Sequence, residues 1–390
     1  MKKQTKAIHT LFPAKDAYGS ISMPVYHTAA YEFDDADYMS DAFCGRVIVP
    51  DYSRVLNPTV MFLEDKVKEL TGAHSVTALN SGMAAISNTV MAVAEAGKNI
   101  VTSRHLFGNT YSLLTVTLRR FGVEARLCDL TNPAEVEAAV DENTCCIFLE
   151  IITNPQMEVA DLRALADIAH RHGTLLIADT TLIPFTEFSA RALGVDIEVV
   201  SSTKYLSGGA TSLGGLIIDY GTADGFSKKI KFEMVFNLGA YMTPHAAYMQ
   251  ALGLETLDAR YRLQSASALQ LAKMLKTLPA IKRVNYVGLE DNPYNALARS
   301  QFGGTAGAML TIDLESGEAC KRFINSLKLI KRATNLFDNK SLAIHPASTI
   351  FGPFSDEERR AMDVLDTTIR LSVGLEDVED LFADIEQALS

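Results

Sequence analysis

The chain has 390 residues, 48% of them hydrophobic, and a formal net charge of -11. That length and apolar content exceed what one ordinary core encloses, so two globular parts are expected. The acidic balance argues against a surface for nucleic acid or anionic membrane, and it leaves room for a small anionic substrate held in a local basic pocket.

Residues 1–50 carry Phe12, Tyr18, Tyr26, Tyr31, Phe33, Pro13 and Pro24 without clear periodicity. They read as an arm for a subunit interface. Over 59–71, Val60, Leu63, Val67 and Leu70 fall at helical spacing. Strands and helices then alternate: strand 75–79, helix 82–95, strand 99–103, helix 110–121, strand 123–128, helix 133–140, strand 145–150, helix 162–172, and strands 174–179, 197–200 and 216–219. Such alternation predicts an α/β fold, a mostly parallel sheet with helices on both faces. The most apolar stretch, 75–97, is interrupted by Asn80, Asn88 and Glu95, so it reads as strand plus buried helix rather than a membrane span. After about Thr243 the texture changes. A long helical pattern at 244–278 precedes strands 284–287 and 307–314, helix 317–327, an irregular run to Ser355, helix 356–366, strand 368–373 and helix 378–389. The expected division is an arm at 1–50, a large domain at 51–245 and a smaller C-terminal α+β domain at 246–390.

Cys44, Cys128, Cys145, Cys146 and Cys320 form no C-x-x-C pair and fit reduced thiols of a cytoplasmic protein. Met1, Lys2 and Lys3 open like a signal peptide, but residues 4–16 hold no apolar core for one, so secretion is not expected.

The apolar run 197–200 leads into Ser201, Ser202, Thr203 and Lys204, then Gly208 and Gly209. A lysine at a strand end, beside hydroxyls and flexible backbone, is placed to form a Schiff base next to a bound phosphate, which suggests pyridoxal 5'-phosphate (PLP). Taken alone, the run also fits a solvated loop lysine. Asn80, Ser81, Gly82 and Met83 join a strand to a helix, either as an anion cradle or as a plain cap. Neither a G-x-G-x-x-G run nor a Walker A sequence is present. Asp179 ends a buried strand, where a carboxylate holds a pyridinium proton or caps a loop. The Asn154 amide faces a phenolate or simply makes a turn. Arg370 interrupts a strand suited to burial; a buried guanidinium needs an anion, either a substrate carboxylate or an internal partner. His170, Arg171 and His172 lack a partnering Cys/His set and read as a solvated helix end, so no metal is expected.

These residues, with Met23-Pro24-Val25-Tyr26, Tyr52-Ser53-Arg54, Ser341-Leu342-Ala343-Ile344-His345-Pro346 and Arg370-Leu371-Ser372-Val373-Gly374, resemble the Cys/Met-metabolism PLP-dependent enzymes. That family has the aspartate-aminotransferase-like fold, PLP-dependent transferase fold type I, and the resemblance covers nearly the whole chain. It implies Lys204 as the Schiff-base lysine, with Asp179 on the pyridine nitrogen. Ser81, Gly82, Met83, Ser201 and Thr203 would hold the phosphate, joined by Tyr52 and Arg54 from a neighbouring subunit. Asn154 would face the phenolate, Phe107 the ring, and Ser341 and Arg370 the substrate carboxylate. A homo-oligomer, a tetramer built from dimers, is implied. Asn109, Lys340 and the run from Gly214 to Gly221 lean to the O-acetylhomoserine sulfhydrylase branch. The length of 390 residues is nearer that of synthases and lyases. Phe107 stands where a tyrosine is usual, Thr180 where an asparagine is, and Gly209 where a histidine is common. The expected reaction is γ-replacement on O-acetyl-L-homoserine by sulfide or another thiol donor, including a carrier-protein thiocarboxylate. The alternatives are a methionine or cystathionine γ-lyase, a cystathionine γ-synthase, and a non-catalytic PLP-binding or regulatory protein.

Overall fold

The computed structural model describes residues 1–9 and 18–390; Phe12 and Pro13 of the expected arm lie outside the described residues. Seven strands form the large sheet: β1 (Ser75–Leu79), β2 (Asn99–Ser103), β3 (Glu124–Cys128), β4 (Thr144–Glu150), β5 (Leu175–Asp179), β6 (Ile197–Val200) and β7 (Gly215–Asp219). Their spatial order is β1-β7-β6-β5-β4-β2-β3. Only β7 runs antiparallel to its neighbours. Strands β2, β6 and β7 are buried along their whole length, with polar positions such as Thr102, Glu198 and Asp219 buried among apolar neighbours.

Alternate residues of this sheet feed two apolar clusters. Val101, Ile147, Leu176 and Ile218 join one; Ile100, Phe148, Ile177 and Ile217 join the other. The sheet is therefore covered on both faces, as the βα alternation predicts. The pleat also sorts the polar residues near the end of β5. On one face Thr180 donates to buried Glu198 (2.5 Å), which also accepts from the Tyr220 hydroxyl (2.6 Å). Asp179 points to the other face.

A second, five-stranded sheet lies toward the C-terminus. It holds β8 (Arg283–Asn285), β9 (Met309–Asp313), β10 (Lys331–Arg332), β11 (Leu342–Ile344) and β12 (Thr368–Ser372), in the order β10-β11-β12-β9-β8. Arg370 sits in the middle strand, opposite Ile344 on one side and Thr311 on the other. One apolar cluster continues through both parts, including Leu182 and Ile183 from the first and Ala306 and Ala308 from the second.

Several elements differ from expectation. The arm contains helices Lys3–His9 and Ala36–Phe43, the latter capped by Asp35 on the Tyr38 N–H. The helical pattern at 244–278 is two helices, Pro244–Glu255 and Leu257–Leu275. They part at Thr256, where Arg260 donates to the Gly253 carbonyl (2.6 Å). The helix expected at 110–121 starts earlier and changes pitch, running as Gly108–Ser112, a wide turn at Leu113–Thr117 and a tight one at Leu118–Phe121. The helix expected at 356–366 stops at Ala361. Among the described residues, no helix is long and apolar enough to cross a membrane.

Candidate active site

The parallel register sets Glu150 of β4 beside Asp179 of β5, and Asp179 beside Val199 of β6. Three strands thus end together at one edge of the sheet, the usual place for a site in an open α/β fold. Past β6 the chain turns, with the Lys204 N–H bonded to the Ser201 carbonyl (3.1 Å). Thr181 ties the two strand ends, accepting from Ser201 N (2.8 Å) and donating its own N–H to Asp179 Oδ1 (2.9 Å).

Lys204 Nζ donates to Asn335 Oδ1 (2.7 Å). Burial, followed by the charge of Arg370, holds this amine down at about 8, against the pull of Asp179. Arg370 is only 4% exposed. Its guanidinium donates to Asn154 Oδ1 (3.2 Å) and to the Asn335 carbonyl (3.1 Å), and no carboxylate of the described residues pairs with it. Burial alone lowers Arg370 to about 9. A guanidinium so placed, with neutral partners only, is chemically suited to pair with an anion.

Burial raises Asp179, with the Thr181 bonds opposing it. Glu150 is raised well above the ordinary carboxylate range by burial and then by the charge of Asp179. It accepts the Phe107 N–H (2.6 Å), which fixes the backbone of the loop that carries the Phe107 ring.

The anion cradle is built by close approach. Helix Gly82–Val93 begins at Ser81, whose hydroxyl accepts from Ala84 N (3.1 Å). A Cβ on Gly82 would stand 2.6 Å from the Ser201 Cβ, and one on Gly215 would stand 2.0 Å from the Ser81 carbonyl. Only glycine lets the helix start, Ser201 and β7 converge here, leaving the first helical N–H groups for an anion. Thr203 supports the cradle without facing it, since its hydroxyl donates to Gly214 O (3.2 Å) and accepts Gly214 N–H (3.0 Å). Met83 lies beside the Phe107 loop, its sulfur 3.9 Å from Thr110 Oγ1.

The residues therefore fit PLP. A helix start suits its phosphate, a carboxylate its ring nitrogen, and a lysine held down at about 8 its aldehyde. The Asn154 amide, whose oxygen accepts from Arg370, has N–H groups suited to its phenolate. The sequence profile of the Cys/Met metabolism PLP-dependent enzymes matches residues 4–390. The chain belongs to this PLP-dependent family. It is 38% identical over 396 residues to an L-methionine gamma-lyase of Fusobacterium nucleatum, covering 100% of this chain and 99% of that one. It is 37% identical over 367 residues to an O-succinylhomoserine sulfhydrylase of Pseudomonas aeruginosa, covering 94% and 90%. The crystal structure of a Campylobacter jejuni protein described as an O-acetylhomoserine (thiol)-lyase superposes with a TM-score of 0.96 at 33% identity, over 100% of both chains, and carries a pyridoxyl phosphate group on a lysine.

Two expected site residues lie elsewhere within one chain. Tyr52 and Arg54 line a separate hollow of about 670 Å³ with Tyr31, Phe33, Met39 and Phe236. There the Arg54 guanidinium lies 5.4 Å from the ring centres of both Tyr52 and Phe236 and donates to the Phe236 carbonyl. Ser341 is the other residue expected at the substrate carboxylate. Its hydroxyl donates to Glu376 (2.8 Å) and accepts the Gly374 N–H (2.8 Å), and its own N–H also goes to Glu376 (2.7 Å). Asn335 touches both Lys204 and Arg370. The sequence offers no signal for it, an asparagine inside an irregular run. Glu150 was equally unmarked, because a glutamate closing an apolar strand reads as its solvated end. The histidine pair is held by carboxylates: His170 by Asp196 (3.0 Å) and His172 by Glu137 (2.6 Å). Among the described residues no group of three or more His, Cys, Asp or Glu is arranged to hold a metal ion.

Proposed function

We propose that this enzyme catalyses γ-replacement on O-acetyl-L-homoserine, with sulfide or another thiol as donor, giving homocysteine and acetate. The observation that carries the reading is Phe107, which puts a ring without a hydroxyl on the loop facing the cleft. Acetate leaves the γ carbon with little need of a proton, whereas a thiolate leaving group profits from an acid. Arg370 would take the substrate α-carboxylate between Asn154 and Asn335. Lys204, about half neutral near pH 8, would remove the α and then a β proton, return one to the β carbon as the sulfur bonds to the γ carbon, and return the other to the α carbon before the product leaves. PLP, when bound, supplies an electron sink, and Asp179 would keep its ring nitrogen protonated. We place Tyr52 and Arg54 at the phosphate of a partner subunit in a cytoplasmic homo-oligomer built from dimers.

A second reading, γ-elimination from methionine, is favoured by the 38% identity to the fusobacterial methionine gamma-lyase. A product assay separates the two. O-acetyl-, O-succinyl- and free homoserine, and methionine, are each incubated with and without sulfide. Homocysteine from the acetyl ester, formed only with sulfide and faster than α-ketobutyrate forms from methionine, is the expected result. Equal or faster methionine cleavage favours the lyase. Turnover of no substrate by PLP-loaded protein would refute both.

A further inference from the structure

The loop that brings Phe107 to the cleft is held from behind by a buried imidazole. His105 is 8% exposed. Its Nδ1 lies 2.6 Å from Glu158 Oε2, and its Nε2 lies 2.9 Å from Asp363 Oδ2. An ionised carboxylate only accepts, so two such bonds require both ring nitrogens to donate, which is the imidazolium. The two carboxylates come from different parts of the fold. Glu158 lies in the turn that follows Asn154, and Asp363 lies in the turn after helix Asp356–Ala361.

Other contacts knit the same junction. Gln156 Nε2 donates to the Met362 carbonyl (2.6 Å). The Tyr111 and Phe354 rings meet edge to face, with centroids 5.8 Å apart. Two non-glycine residues with left-handed backbone flank it, Met157 (φ 62°) and Asp363 (φ 53°). Such conformations persist only where the surroundings hold them, and they gather at functional sites.

We propose that His105, as an imidazolium between Glu158 and Asp363, is a positioning residue that fixes the Phe107 loop and the Asn154 turn against the Asp363 turn, so that its deprotonation loosens all three together. The proposal rests on the reading of this cleft as a PLP site. Burial alone lowers the imidazole, but the bonds and charges of Glu158 and then Asp363 outweigh it and hold His105 above 6.5. The further groups at hand are Arg104, adjacent in the chain, and Tyr294, which lies in the field of both Glu158 and Asp129. Because the folded value is raised, the junction is fully held below 6.5 and released as pH rises through the folded value.

The test uses the PLP-loaded enzyme, His105→Gln and Asp363→Asn. Two signals are followed against pH: visible circular dichroism of the bound cofactor, and hydrogen exchange in peptides covering 105–112, 153–158 and 356–364, corrected for intrinsic exchange. In the unmodified enzyme all four should change together in one transition above pH 6.5. His105→Gln should abolish the transition and leave the three segments exchanging about tenfold faster at pH 6.5, the ratio expected for one lost bond to a charged group. Asp363→Asn should move the transition to lower pH; its side chain is 66% exposed, so this variant keeps the test open if the first fails to fold. An unchanged transition in either variant, or segments that respond separately, would overturn the proposal. Failure to bind PLP would overturn the cofactor reading, while the exchange data would still judge the junction.

Discussion

Replacing Arg370 by methionine should stabilise the free enzyme and cripple substrate binding at once. Burial holds this guanidinium at about 9, well below its ordinary value. At 1.36 kcal/mol per pH unit, keeping it charged costs the fold about 5 kcal/mol. Because the folded value is lowered, that cost is fully present below about pH 9. The two hydrogen bonds to Asn154 and the Asn335 carbonyl return about 1.5 kcal/mol each. Methionine fills a similar volume without charge, so a net gain of about 2 kcal/mol is expected in the substrate-free state. Binding moves the other way, because losing a charge-paired carboxylate contact in a dry site costs about 2–5 kcal/mol. KM for the amino acid should therefore rise from about thirtyfold to several thousandfold. Thermal unfolding of the PLP-loaded protein, with steady-state kinetics on the same preparation, measures both. The reasoning fails if the variant, loaded and coloured, melts lower than its parent or keeps its KM.

Three other outcomes are expected. In protein stripped of PLP, about a tenth of Lys204 is neutral at pH 7, so cofactor loading should accelerate about tenfold per pH unit and level above about 8; a rate still climbing at pH 10 would show an ordinary lysine. Arg54→Ala and Lys204→Ala should each be inactive, yet recover about a quarter of full activity when subunits are exchanged, because half of randomly paired dimers keep one intact shared site; no recovery after demonstrated exchange rules out sharing. Phe107→Tyr should speed methionine cleavage more than acetyl-ester replacement, by supplying an acid to the poorer leaving group; equal effects on both rates would remove the leaving-group argument.

Where hydrophobic period and strand ends decide the outcome, the sequence was enough. The runs at 99–103, 145–150 and 197–200 are rich in apolar residues because they lie inside a sheet covered on both faces, and their register brings Asp179 and Lys204 to one edge. What escaped notice depends on pairing across long separations. Asn335 lies 131 residues from Lys204, and nothing local distinguishes it from any loop asparagine. The glutamate that takes the Ser341 hydroxyl is likewise distant, 35 residues along the chain. The break at Thr256 was hidden because Arg260 is a good helix former, and only its reach to the Gly253 carbonyl reveals the interruption.

The two-sided pleat at the end of β5 has a consequence for how this enzyme can change by descent. Asp179 serves the cleft, while Thr180, one residue later, serves the Glu198–Tyr220 cluster on the opposite face. Deleting a single residue within Leu175–Asp179 would exchange those assignments, sending the carboxylate into the apolar layer and a threonine to the cleft. Loops beyond the strand ends can lengthen, shorten and drift toward new substrates. The strand itself admits length changes only in pairs, so a lineage that retunes its chemistry is expected to record its history in the segments after Glu150, Asp179 and Lys204, with the spacing inside the strands held fixed.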